Sequence, residues 1–240
     1  MPLHDHFHPP LSIHRPWQGF HSAWASALTH HLNHGLLPPH YFAMPTVQLG
    51  GQVEIDVATR EERNGTRVVG EPAGGTAVWT APRPALAMPV DFTHLDVFEV
   101  QVFNDEDGPR LVAAIELVSP ANKDRESHRR AFTVKCAAYL QQGISLAIVN
   151  AVTSRSGNLH AALLELLGMP VPSDLPATLY AVFHRTVDAE GQCLLEAWPE
   201  ALALGAALPT LPFWIAPDLA LPLDLELSYL ATCDTLRIGE

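Results

Sequence analysis

Four charged side chains in this sequence have the types and spacing to do chemistry together. Glu54 and Asp56 alternate with Val53, Ile55 and Val57, so on an extended strand both carboxylates share one face. Glu116 stands inside the apolar run from Leu111 to Val118. Lys135 lies in the next segment, DRESHRRAFTVKCAAYLQQ, whose pattern predicts a helix over 124–142. Glu116 is the most informative of the four. An ionised carboxylate buried without partners is costly, so it demands a cation, a hydrogen-bond network or a shifted pKa. If the strand carrying Asp56 pairs beside the strand carrying Glu116, the two carboxylates approach and repel. A divalent cation resolves that repulsion. Mg²⁺ is held by one or two carboxylates while keeping several waters. Such an ion polarises a phosphoryl oxygen and supplies hydroxide, and a nearby ammonium stabilises charge on the phosphate. Each residue also has a plainer reading. Glu54 and Asp56 fit a solvated strand face, Glu116 a structural carboxylate, and Lys135 a surface helix lysine. On spacing alone the plainer readings carry more weight.

The elements that must position these residues follow from periodicity. Trp17, Phe20, Trp24, Leu28 and Leu32 form a helical stripe over 17–35, ended by Gly35 and Pro38-Pro39. Strands are predicted at about 47–58 and 95–103, with a shorter one near 76–81. The Asn104–Gly108 stretch has hairpin chemistry, leading into a strand over 110–118 that is apolar on both faces. After the 124–142 helix come a buried strand at 144–152 and a short helix at 158–167. A second hairpin is predicted at 178–186 and 192–198, then Pro-rich loops and a helix at about 222–236. This order is α/β, a mixed sheet flanked by helices. The chain divides into a His/Pro-rich arm at 1–16, an α/β core at 17–168 and an elaboration of the same domain at 169–240.

Composition narrows the function. The chain has 240 residues and a net charge of −12, which argues against coating nucleic acid or an anionic membrane through bulk charge. No apolar run approaches the ~18–20 residues of a membrane span. The first residues lack a signal-peptide pattern, and Cys136, Cys193 and Cys233 are odd in number and widely spaced, so a reducing cytoplasm is the expectation. Residues 123–135 nevertheless concentrate Lys123, Arg125, Arg129, Arg130 and Lys135. On one helix Arg125 and Arg129 share a face that can contact phosphates; its plainer reading is a solvated face partly neutralised by Asp124 and Glu126. The 13 histidines read mainly as exposed or capping residues, although His30 and His34, four apart, have metal-ligand spacing. GxSxG, GxGxxG and a P-loop are absent.

The stretch Glu116-Leu117-Val118-Ser119-Pro120-Ala121-Asn122-Lys123, followed by Lys135, Tyr139 and Gly143, resembles a bacterial family known only as domain of unknown function 4058. Met1–Asp5, Phe20-His21, Leu36–Pro39, Tyr41 and Leu221–Leu225 extend the likeness along nearly the whole chain. That family is in turn similar to the Uma-type endonuclease-like proteins of the PD-(D/E)XK nuclease superfamily. The resemblance implies a restriction-endonuclease-like core with a C-terminal hairpin and helix extension. It implies Asp56 as the first acidic residue, Glu116 as the second carboxylate and Lys135 as a lysine moved onto the next helix, with Lys123 a weaker candidate. The chain departs from the pattern at Ile55, where proline is usual, at Val118, where the in-line lysine would stand, and at Asn150, where relatives often carry an acidic residue.

Two functions follow from different classes. One is a Mg²⁺- or Mn²⁺-dependent phosphodiesterase acting on nucleic acid. Asp56 and Glu116 hold the metal, Lys135 stabilises the transition state or orients the attacking water, Glu54 supports the site, and Arg125, Arg129 and Arg130 contact the substrate. The other is a catalytically inactive binding or interaction module of the same fold. The apolar Phe213-Trp214-Ile215 stretch is either core or a contact in a homo-oligomer.

Overall fold

The computed structural model describes residues 2–45, 57–61, 82–89, 110–176 and 178–239. The predicted strand segments at 76–81 and 95–103 lie outside them, as do Glu54 and Asp56. The chain opens with α1 (Leu11–His14) and α2 (Trp17–His31), the latter closing in a π-helical turn over Leu32–Leu36. There follow β1 (Tyr41–Met44), β2 (Val57–Glu61), β3 (Leu86–Pro89) and β4 (Arg110–Leu117). Next come α3 (Pro120–Asp124), α4 (Glu126–Gln141), β5 (Ser145–Asn150) and α5 (Leu159–Leu166). The chain ends with β6 (Tyr180–Ala189), β7 (Gln192–Ala201), β8 (Thr210–Ala216), β9 (Leu219–Asp224) and α6 (Leu225–Thr235).

Seven of the described strands form one sheet in the order β1-β2-β4-β5-β6-β7-β3. Only β4 and β5 run parallel, joined through α3 and α4; every other neighbouring pair is antiparallel. The protein is therefore α/β with a mixed sheet covered by helices, as the apolar runs imply. Alternation along the central strands sorts side chains onto two faces. Ala113, Ile115 and Leu117 join a core with α2, α6 and the β8–β9 ribbon, built on Phe20, Trp24, Leu28, Phe213 and Tyr229. Ala114 and Val118 join the opposite core beneath α4 and α5, with Phe132, Cys136, Tyr139, Leu140 and Leu163. Glu116 belongs to this second face.

Local chemistry sets the ends of the βαβ unit that carries the site. Ser119 stops β4, and its N–H donates to Asn122 Oδ1 at 2.8 Å, with Pro120 opening α3. Gly143, at φ +73°, closes α4 in the left-handed conformation, its N–H bonded to the Leu140 carbonyl, and turns the chain into β5.

Four expectations are corrected. The helix predicted over 124–142 is broken at Arg125, whose extended backbone (φ −127°, ψ 156°) separates the single turn α3 from α4. The hairpin predicted at 178–198 is not an extension: β6 pairs with β5 and so continues the main sheet. The Pro-rich stretch beyond it holds a two-stranded ribbon in which Pro212 faces Pro222. Proline is tolerated there because each strand of a two-stranded ribbon has an edge that needs no N–H donor. Phe213 and Ile215 are buried in the core. Finally, the first residues are no free arm. Leu3 exchanges backbone hydrogen bonds with Ala206 and Gly205, and the buried His6 ring meets the Tyr229 hydroxyl at 2.9 Å.

Candidate functional site

The carboxyl ends of the two parallel strands bring the candidate residues together. Glu116 stands next to the last residue of β4 and faces α4. Lys135, in the middle of α4, donates its Nζ to Glu116 Oε2 at 2.9 Å. The two residues are 2% and 6% exposed, so this is an ion pair removed from water. The surface reading of Lys135 is thereby overturned. Phe132, Cys136 and Tyr139 form the buried stripe of α4 at helical spacing, and Lys135 falls on that stripe. The Phe132 ring lies 5.5 Å from the ammonium. Such pairs contribute little net stability, because desolvating both ions offsets their attraction. A fold that keeps one has another use for it or needs it for specificity.

A second lysine is buried on the neighbouring helix. Lys123, on α3, is 2% exposed. Its Nζ reaches Asn150 Oδ1 at 3.5 Å, the outer limit of a hydrogen bond. Asn150 ends β5 and is itself fixed: its Nδ2 donates to the Thr178 carbonyl at 2.6 Å, and its Oδ1 also accepts the Val152 N–H at 3.3 Å. Burial pushes the Lys123 amine down to about 8. On the neighbouring strands, Ile148 pairs with Glu116, and Asn150 lies two residues farther along the same face.

Asp56 and Glu54 lie outside the described residues. Val57, which follows Asp56 in the chain, pairs with Ile115, which precedes Glu116. β2 thus lies directly beside β4, as the acidic-pair argument requires.

The basic segment divides. Arg125 and Arg130 are exposed. Arg129 is half-buried, and its guanidinium donates to the Lys123 carbonyl at 3.1 Å, so it braces α3 rather than sharing a free face with Arg125. Arg155 and Arg125 both lie against Asp124. The buried Cys136 thiol, on α4, is pushed up by burial and then by the charge of Glu116, which makes it a poor nucleophile.

The histidines also depart from expectation. His6, His160 and His184 are buried rather than exposed or capping. The His160 and His184 rings meet edge to face, 4.8 Å between centroids. The His30 and His34 rings lie 4.4 Å apart. Among the described residues no group of three or more His, Cys, Asp or Glu side chains is placed to hold a metal. No helix among them is long and apolar enough to cross a membrane.

One sequence signal for this site is stronger than motif spacing. Only two of the chain's 14 basic residues are lysines, Lys123 and Lys135; all the others are arginines. Lysine is ordinarily among the most exposed residue types. Here both lysines are buried, Lys135 against Glu116 on β4 and Lys123 near Asn150 on β5. Compared with known proteins, the chain matches no family model, no curated protein and no solved structure.

Proposed function

We propose that this protein is a divalent-metal-dependent phosphodiesterase acting on nucleic acid, with a core of the PD-(D/E)XK type. The observation that carries this reading is the buried Glu116–Lys135 pair at the carboxyl end of β4. A carboxylate held by an ammonium at the end of a parallel strand is the kind of oxygen ligand that metal-assisted phosphoryl transfer uses. Ligands of open α/β sheets bind at such strand ends. β2 lies beside β4, with Val57 paired to Ile115, the neighbour of Glu116, as a site shared by Asp56 and Glu116 requires. Glu116 offers the hard oxygen that Mg²⁺ or Mn²⁺ takes, and such an ion supplies a polarised phosphoryl oxygen and an activated water. The chain's own residues do the rest. Glu116 would hold the cation. Lys135 matches the charge of Glu116, so the buried carboxylate is not left bare. The exposed Arg125 and Arg130 would meet the phosphate backbone.

Calorimetric titration with Mn²⁺ tests this reading. The full chain is the right sample, because Leu3 and His6 are part of the core. Wild type is expected to show a saturable site that Glu116→Gln weakens at least about tenfold, as loss of a ligand should exceed the effect of removing an outer-shell partner. Metal-dependent cleavage of single- or double-stranded nucleic acid should fall with it. Identical isotherms for the two proteins, with no cleavage by either, would favour the inactive binding module, for which the closed ion pair is a purely structural feature.

A further inference from the structure

We propose that Lys123 forms the subsite for a phosphoryl oxygen of the substrate, while Lys135 is reserved as the fixed counter-ion of Glu116. This deepens the nuclease reading and rests on it for the identity of the anion. The geometry separates the two lysines sharply. Lys135 is matched by a carboxylate at 2.9 Å. Lys123 offers three N–H donors to a single amide oxygen at 3.5 Å, and that oxygen already accepts the Val152 N–H. An ammonium buried with so little acceptor capacity is an incomplete site; an anion supplies what is missing.

Its position suits the role. α3 projects from the end of β4 and Asn150 ends the parallel neighbour β5, so Lys123 spans the gap between two strand ends. Asn150 stands where an acidic residue would have matched the lysine fully. With a neutral amide there, the positive charge stays available. The residue type suits it too. In a chain that otherwise uses arginine for every cation, lysine at this position supplies a compact charge on a flexible stem, which a guanidinium cannot replace. The charged groups on the surrounding elements leave it free: Asp124 on α3 is engaged by Arg125 and Arg155, Arg129 on α4 by the Lys123 carbonyl, and Glu116 on β4 by Lys135.

Having two lysines makes the test direct. Protein labelled with ¹³C,¹⁵N-lysine gives two Cε–Nζ correlations, assigned with Lys123→Arg. Inorganic phosphate, and separately a short phosphorothioate oligonucleotide, should shift the Lys123 signal saturably and leave the Lys135 signal in place. The Lys123 titration midpoint, near 8 in the free protein, should rise by about one pH unit as the anion arrives. An uncharged methylphosphonate oligonucleotide should move neither signal. The proposal fails if phosphate moves Lys135 alone or moves neither lysine. Metal-dependent cleavage with a Lys123 signal blind to phosphate would sink the subsite and keep the nuclease. Phosphate bound at Lys123 in a protein that neither binds Mn²⁺ nor cleaves would do the reverse.

Discussion

Lys135→Met should destabilise the protein by about 3–5 kcal/mol, because it strands a carboxylate that the fold has taken out of water. Glu116 is 2% exposed, and Lys135 Nζ lies 2.9 Å from its Oε2. Methionine fills much of the lysine stem's volume, so the loss reports charge rather than a cavity. The double variant Glu116→Leu/Lys135→Met should recover most of that loss, since replacing a whole buried pair by apolar groups of similar size is often neutral or stabilising. Denaturant unfolding of the four proteins gives the coupling energy directly. If the double variant is stable, its Mn²⁺ titration becomes decisive: a folded protein without the site should bind no metal there. Lys135→Met as stable as wild type would show that Glu116 does not depend on this ammonium, and would remove the pair as the anchor of the site.

How much of this pair was legible in advance depended on the residue. Glu116 stands out because a carboxylate interrupts an apolar run, and β4 and β5 are readable from the same runs. Lys135 was obscured by its neighbours. Arg125, Arg129 and Arg130 make the start of the helix look solvated, and a charge count does not distinguish the two faces. Its spacing of three from Phe132 and four to Tyr139 places it on the buried stripe, and the scarcity of lysine marks it independently. Lys123 depends on the break at Arg125, which the helical pattern of 124–142 conceals. The β8–β9 ribbon was hidden by its prolines, which ordinarily argue against strands. The docking of residues 3–6 was not readable at all. Leu3 meets Ala206, and His6 meets Tyr229, contacts more than 200 residues apart that no local pattern encodes.

Mild acid should begin to destabilise this protein from about pH 6.5, above the range in which carboxylates titrate. His6 and His160 are buried and held neutral, and burial lowers each from an ordinary 6.5 to about 4. For His6 the charge of His4 adds to burial and that of Asp5 opposes it. His184 shifts in the same direction, first through burial and then through His160. The sign follows from linkage. Between about pH 6.5 and 4 the unfolded chain binds protons that the native state refuses, so stability falls as pH falls through that window. Above it the contribution is fully present. Each of His6 and His160 is worth up to about 3 kcal/mol over the interval, against a total of roughly 5–15 kcal/mol for an ordinary domain. Urea midpoints should therefore drop steeply between about pH 6.5 and 4.5. His184→Leu removes one proton-accepting group from the core, 4.8 Å from the His160 ring. Its pH profile should be visibly shallower than that of wild type, whatever its stability at neutral pH. Parallel profiles for the two proteins would mean that the buried histidines do not drive acid unfolding, and would shift the explanation to the carboxylates.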